Sequence, residues 1–120
     1  MRKIEQKLLK SFMERKEFHQ GFDKISVDKE TKIIYYYNYG RLVFANSYQE
    51  DIKEKICFCL PSFDGVLSNT TKSRVNTFLS IFNLNVQQKN YEYFCNGKKI
   101  KLDTMYIIIQ KDEKYDFILS

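Results

Sequence analysis

Residues 65–74 read GVLSNTTKSR, and the reading of this stretch decides the fold. A glycine, small polar residues and then Lys72-Ser73 look like a phosphate-binding loop. Such a loop belongs in a parallel α/β sheet. The pattern G-x-x-x-x-G-K-[ST] would need glycines at 66 and 71, where Val66 and Thr71 stand. Gly65 is one position early. The second glycine, which lets backbone approach phosphate closely, is missing. The stretches around it alternate like antiparallel hairpins. Nucleotide hydrolysis is therefore rejected, and the stretch is read as a helix start.

Ser68, Asn69, Thr70 and Thr71 all suit an N-cap, because their side-chain oxygens accept the free N–H groups of a first turn. Val75, Phe78, Leu79 and Phe82 follow as one apolar stripe, which predicts a helix over 70–83. Its first turn carries Lys72 and Arg74 where acids are favoured, at a cost of a few tenths of a kcal/mol or so. An anion at the helix end would reverse that sign. Thr70, Thr71, Lys72 and Arg74 are thus candidate contacts to a phosphate backbone.

Working outward, Ile4, Leu8, Leu9, Phe12 and Met13 predict a first helix over 2–19, with His19 at its end and Gly21 as its stop. The segments KISV, KIIYYYN, RLVFANSY and KICFCLP read as strands separated by turn residues. NYEYFC, NG and KKIKL form a hairpin signal, since Asn-Gly accepts the positive φ angles of a type I′ turn. MYIIIQ, KDEK and YDFIL suggest a last hairpin. The expectation is one α+β domain over 1–120, an antiparallel sheet of about five or six strands with two packed helices. In KIIYYYN, Tyr35 and Tyr37 share a face and Tyr36 takes the other. A wet tyrosine face would stack bases or anchor a protein partner.

Charge is unevenly placed. Lys and Arg number 20 and Asp and Glu 15, a net of +5. From Gly65 to Lys101 the bases are Lys72, Arg74, Lys89, Lys98, Lys99 and Lys101, against the single acid Glu92. That segment holds the whole net charge, and the remainder cancels. Asn76, Gln87, Gln88, Tyr91 and Tyr93 are interleaved there. Cations beside amides and aromatics suit nucleic acid, where cations meet phosphates and amides or rings meet bases. The same surface also suits an acidic host protein.

Three cysteines, Cys57, Cys59 and Cys95, fit free thiols in a reducing compartment. Cys57 and Cys59 sit in KICFCL, read as a buried strand. With one histidine, His19, they match no common zinc spacing, so neither metal nor other cofactor is expected. Charges interrupt the apolar pattern of MRKIEQKLLKSF, so no leader or membrane span is expected and the site of action is taken as the cytoplasm of a bacterial host. The spacing of Asp51 and Lys53 is the one trace of a metal-dependent nuclease.

The stretch LSNTTKSRVNTFLSIF resembles small uncharacterised accessory proteins of phages and plasmids of low-GC bacteria. In those a Thr-Thr run opens a short helix with a basic residue and an asparagine; Thr70, Thr71, Arg74 and Asn76 match. Abundant Lys, Ile, Asn, Tyr and Phe agree with an AT-rich source. The resemblance implies a non-catalytic role on a mobile element, including inhibition of a host defence complex. The expected site is Thr70, Thr71, Lys72, Arg74, Asn76, Lys89, Lys98, Lys99 and Lys101, with Tyr35, Tyr37 and Tyr91 as aromatic contacts. A small nuclease and an assembly protein that dimerises through a sheet edge or tyrosine face are the alternatives. A large exposed apolar patch would favour the last.

Overall fold

The computed structural model describes residues 2–48 and 55–120; the Asp51–Lys53 motif lies outside the described residues. Helix α1 spans Lys3–Met13 and α2 spans Asn69–Leu79, continued by a 3-10 turn over Ser80–Phe82. The strands are β1 Phe18–Gln20, β2 Asp23–Asp28, β3 Ile33–Asn38, β4 Arg41–Ser47 and β5 Ile56–Cys59. After α2 come β6 Val86–Lys89, β7 Glu92–Cys95, β8 Lys98–Ile100, β9 Met105–Lys111 and β10 Lys114–Leu119. They form a seven-stranded sheet in the order β1-β2-β3-β4-β5-β9-β10 and a three-stranded sheet β6-β7-β8. Every pairing is antiparallel. The fold is α+β, as expected.

Two sheets replace the single one expected, and strand number is higher. β6 was not foreseen, because Val86-Gln87-Gln88-Lys89 has one apolar residue and lies half in water. The first helix also stops six residues short of its expected end. Arg15 turns left-handed (φ 56°) just beyond Glu14. The N–H of Lys16 then donates to Ser11 O and that of Arg15 to Phe12 O, the Schellman arrangement normally built on glycine. This releases Phe18 and His19 into β1, so His19 lies on an edge strand and not at a helix end. Gly21 keeps its positive φ, in the β1–β2 turn.

Tight turns set the registers. Tyr39-Gly40 and Asn96-Gly97 both have positive φ at the two central residues, the type I′ geometry whose twist matches the strands. Asn90-Tyr91 and Asp112-Glu113 adopt the same signs without glycine.

The helices cover one face of the large sheet. Leu8 and Phe12 of α1 and Val75, Phe78 and Leu79 of α2 are buried against Ile25, Ile34, Tyr36, Val43, Phe44 and Phe58. Phe78 sits at the centre, its ring 5.1 Å from Phe12, 4.6 Å from Tyr36 and 5.3 Å from Phe44.

Into this core the fold sets a polar cluster. Arg74 of α2 is buried and points inward. Its Nη1 lies 3.0 Å from Glu5 Oε2 and its Nε 3.2 Å from Asp23 Oδ1. Asp23 Oδ1 also accepts from the Tyr36 hydroxyl and from Asn38 Nδ2, and Thr71 Oγ1 donates to Asn38 Oδ1. Ser73 Oγ donates to Glu5 Oε2 and the Arg2 N–H to Oε1. Both helices and β2 thus meet at one guanidinium, and β3 joins them through Asp23.

Burial pushes the Glu5 carboxyl upward, but the Ser73 hydroxyl, the Arg2 N–H and Arg74 outweigh it and hold it below its usual value. A depressed carboxyl stabilises above the unfolded-state pKa of about 4.3 and loses that contribution as pH falls through the lower folded value. Stability should therefore fall on acidification below about pH 4, and Glu5→Gln should flatten that limb in pH-dependent denaturant melts.

Candidate binding surface on the three-stranded sheet

The small sheet has two unlike faces. Val86, Tyr93, Cys95 and Ile100 are buried toward the core. Strand alternation turns Gln87, Lys89, Glu92, Phe94 and Lys99 the other way, with Gln87, Phe94 and Lys99 in one cross-strand row. The sheet is fixed to α2 by Asn76, whose Nδ2 donates to Val86 O (3.1 Å) and whose Oδ1 accepts from Val86 N (2.6 Å). One side chain therefore imitates a ladder pair, and it brings β6 alongside α2.

That docking creates a groove of about 720 Å³ lined by Lys72, Asn76, Val86, Gln87, Gln88, Lys89, Phe94 and Gly97. On the other side a second groove, about 430 Å³, includes Gln88, Tyr91, Lys99 and Lys101. Tyr91 stands at the tip of the β6–β7 turn, 94% exposed. Six residues of the expected set (Lys72, Asn76, Lys89, Tyr91, Lys99 and Lys101) line these two grooves.

The others are placed elsewhere. Arg74 is not at the surface: its charge is spent on Glu5 and Asp23, partners that stand 69 and 51 residues away in sequence. Thr71 is buried on Asn38 and caps nothing external. Ser68 is the N-cap, accepting from the Thr71 N–H at 3.0 Å. Thr70 is half-buried on the first turn. The expectation of a phosphate met by Thr71 and Arg74 at the helix start is therefore corrected. Asn76 lines the groove, but both of its amide atoms serve Val86. Lys98 pairs with Asp116 and donates to Phe117 O, and its ammonium lies 4.3 Å above the Phe117 ring. Lys99 pairs with Glu92 at 2.9 Å in the open, where water leaves such a pair weak. Lys72, Lys89 and Lys101 make no ion pair among the described residues.

Tyr35 and Tyr37 belong to the other sheet. They alternate with buried Tyr36 as expected, and their rings lie 6.1 Å apart on the face away from the helices. Neither lines the two basic grooves. Phe94 was missed, although the alternation in Glu-Tyr-Phe-Cys already set it opposite to Tyr93.

The thiols are not poised as nucleophiles. Burial raises Cys57 and Cys59, and it pushes Cys95 up to about 11. Cys57 and Cys59 are half-buried on the open face of the large sheet, a correction to the buried strand expected. The carboxylates that do converge, Glu5 and Asp23, are both held by Arg74. No group of three or more His, Cys, Asp or Glu side chains suited to a metal occurs among the described residues.

Against known families, the model of the Kyanoviridae Gp96 protein matches residues 1–115. The chain belongs to the Kyanoviridae Gp96 family. It is a phage protein, as the resemblance implied; a low-GC host forms no part of what the match shows. No curated protein and no solved structure gives a significant match. Among the described residues of this Gp96-family chain, no helix is long and apolar enough to cross a membrane.

Proposed function

We propose that this phage protein is a non-catalytic binding protein that takes a nucleic-acid strand on its three-stranded sheet. The observation that carries the reading is one groove. Lys72 and Lys89 flank it, Gln87 and Gln88 line it, and half-buried Phe94 forms part of its wall. Cations beside a groove neutralise phosphates, amides meet base edges, and Phe94 and Tyr91 give faces on which bases stack. Lys99 and Lys101 extend the basic strip across the sheet. A single strand follows such a strip more closely than a duplex, because its bases are free to stack.

The test is titration of labelled single-stranded DNA, duplex DNA and RNA at several salt concentrations. The wild type should bind single strands with affinity that falls steeply with salt. Lys72→Ala/Lys89→Ala should reduce the slope of log K against log salt by about 1.4, two phosphate contacts at roughly 0.7 each. An unchanged slope, or no binding at low salt, overturns the reading. In the latter case an acidic host protein, such as part of a defence complex, becomes the partner to seek with the same variants.

A further inference from the structure

A pocket of about 570 Å³ lies at the β1 end of the large sheet, on the face away from the helices. His19, Lys24 and Tyr37 stand side by side on β1, β2 and β3 and form part of its lining, with Ser26 one step further along β2. Phe22, Tyr39 and Phe63 line it as well, from the β1–β2 turn, the β3–β4 turn and the segment after β5. The backbone fixes these three rings. The Tyr39 N–H donates to Phe22 O at 2.9 Å, and Phe63 and Val66 exchange N–H···O bonds at 3.0 Å. The Phe22 and Tyr39 rings stack 4.1 Å apart, and Phe63 meets Tyr39 edge-on at 5.7 Å. Yet the three residues are 63%, 43% and 45% exposed. Adjacent aromatics ordered in this way in water form a platform with free ring surface.

We propose that this pocket binds a nucleoside monophosphate, its base on the aromatic platform and its phosphate on Lys24 and His19. The lining selects the ligand. Every base has a π face and extends an aromatic stack. Lys24 and His19 make no ion pair among the described residues, and no carboxylate lines the pocket. Asp23, next to Phe22, turns into the core and is held by Arg74. The same sheet face adds Lys55, Lys111 and Lys114, against Asp28 and an Asp116 already paired with Lys98, so its field draws an anion. A phosphate answers that field and accepts from ammonium and imidazole N–H groups. A ligand cation, the other common guest of exposed rings, is opposed by Lys24. A sugar needs amides or carboxylates to accept from its hydroxyls, and the lining has neither. The volume falls within the ~300–1,000 Å³ of small-ligand sites. The inference uses none of the basic-groove residues and does not depend on the nucleic-acid reading.

Calorimetric titration of the full chain with adenosine 5′-monophosphate and with adenosine tests it. The monophosphate should bind, and adenosine should bind about tenfold more weakly. Phe22→Ala should weaken both by about tenfold or more, the loss of one stacking partner, while circular dichroism stays native. Lys24→Gln should weaken the monophosphate by about tenfold and leave adenosine unchanged. Lys72→Ala/Lys89→Ala should change neither. A dinucleotide with a 5′-phosphate, used as competitor, separates two sources of the same chemistry. Competition identifies the end of a strand as the ligand, and its absence a free nucleotide; both leave the pocket as the site. No binding of the monophosphate at millimolar concentration and low salt overturns the proposal. So does binding that survives both Phe22→Ala and Lys24→Gln, or that is lost with Lys72 and Lys89.

Discussion

Replacing Arg74 by alanine is expected to destabilise the fold by about 3–5 kcal/mol, the cost of leaving buried partners without their countercharge. Glu5 and Asp23 would both remain in the core, 3% and 5% exposed, with the guanidinium gone. For a domain of this length that corresponds to a fall in Tm of roughly 10–20 °C, read by thermal unfolding. The cluster's geometry predicts a second result. Arg74→Met combined with Glu5→Gln and Asp23→Asn removes all three charges at once. It should be less damaging than the single alanine, because a buried ion pair contributes little beyond its own desolvation. If the triple variant is much worse than the single one, the cluster stabilises by more than mutual neutralisation.

Phe78→Ala should cost a similar amount, about 3–5 kcal/mol, by a different route. The Phe78 ring is fully buried and contacts α1 through Phe12, β3 through Tyr36 and β4 through Phe44. Its removal opens a cavity where both helices meet the sheet, and aromatic neighbours fixed from three directions close it poorly. Phe78→Leu retains much of the volume and should cost clearly less. Denaturant melts of the two variants separate the cavity effect from loss of the ring contacts.

Arg74 also marks the limit of what the sequence discloses. Its position in GVLSNTTKSR made it a surface cation beside Lys72, and local spacing can say no more than that. Its fate is set by Glu5 and Asp23, which only the tertiary fold brings to it. Asn76 is similar: its amide reads as a base contact, yet it serves the Val86 backbone of a strand that has no strand-like pattern. What depends on period and turn chemistry was legible. The α2 stripe, the alternation of Tyr35, Tyr36 and Tyr37, and the Asn96-Gly97 hairpin follow from residues a few positions apart. The early end of α1 was not, because Arg15 takes the left-handed cap that glycine usually signals. Clustering of Lys72, Lys89, Lys99 and Lys101 about one small sheet was foreseen as a charged segment, but not as a groove.

Amide chemical-shift mapping with a short single-stranded oligonucleotide tests whether that groove takes a nucleic-acid strand. Shifts are expected to concentrate in β6, β7, the Asn96-Gly97 turn and the first turn of α2 around Lys72, and to fade as salt is raised. Shifts confined to the open face of the large sheet around Tyr35, Tyr37 and Ile107, or the absence of any shift at low salt, would contradict it.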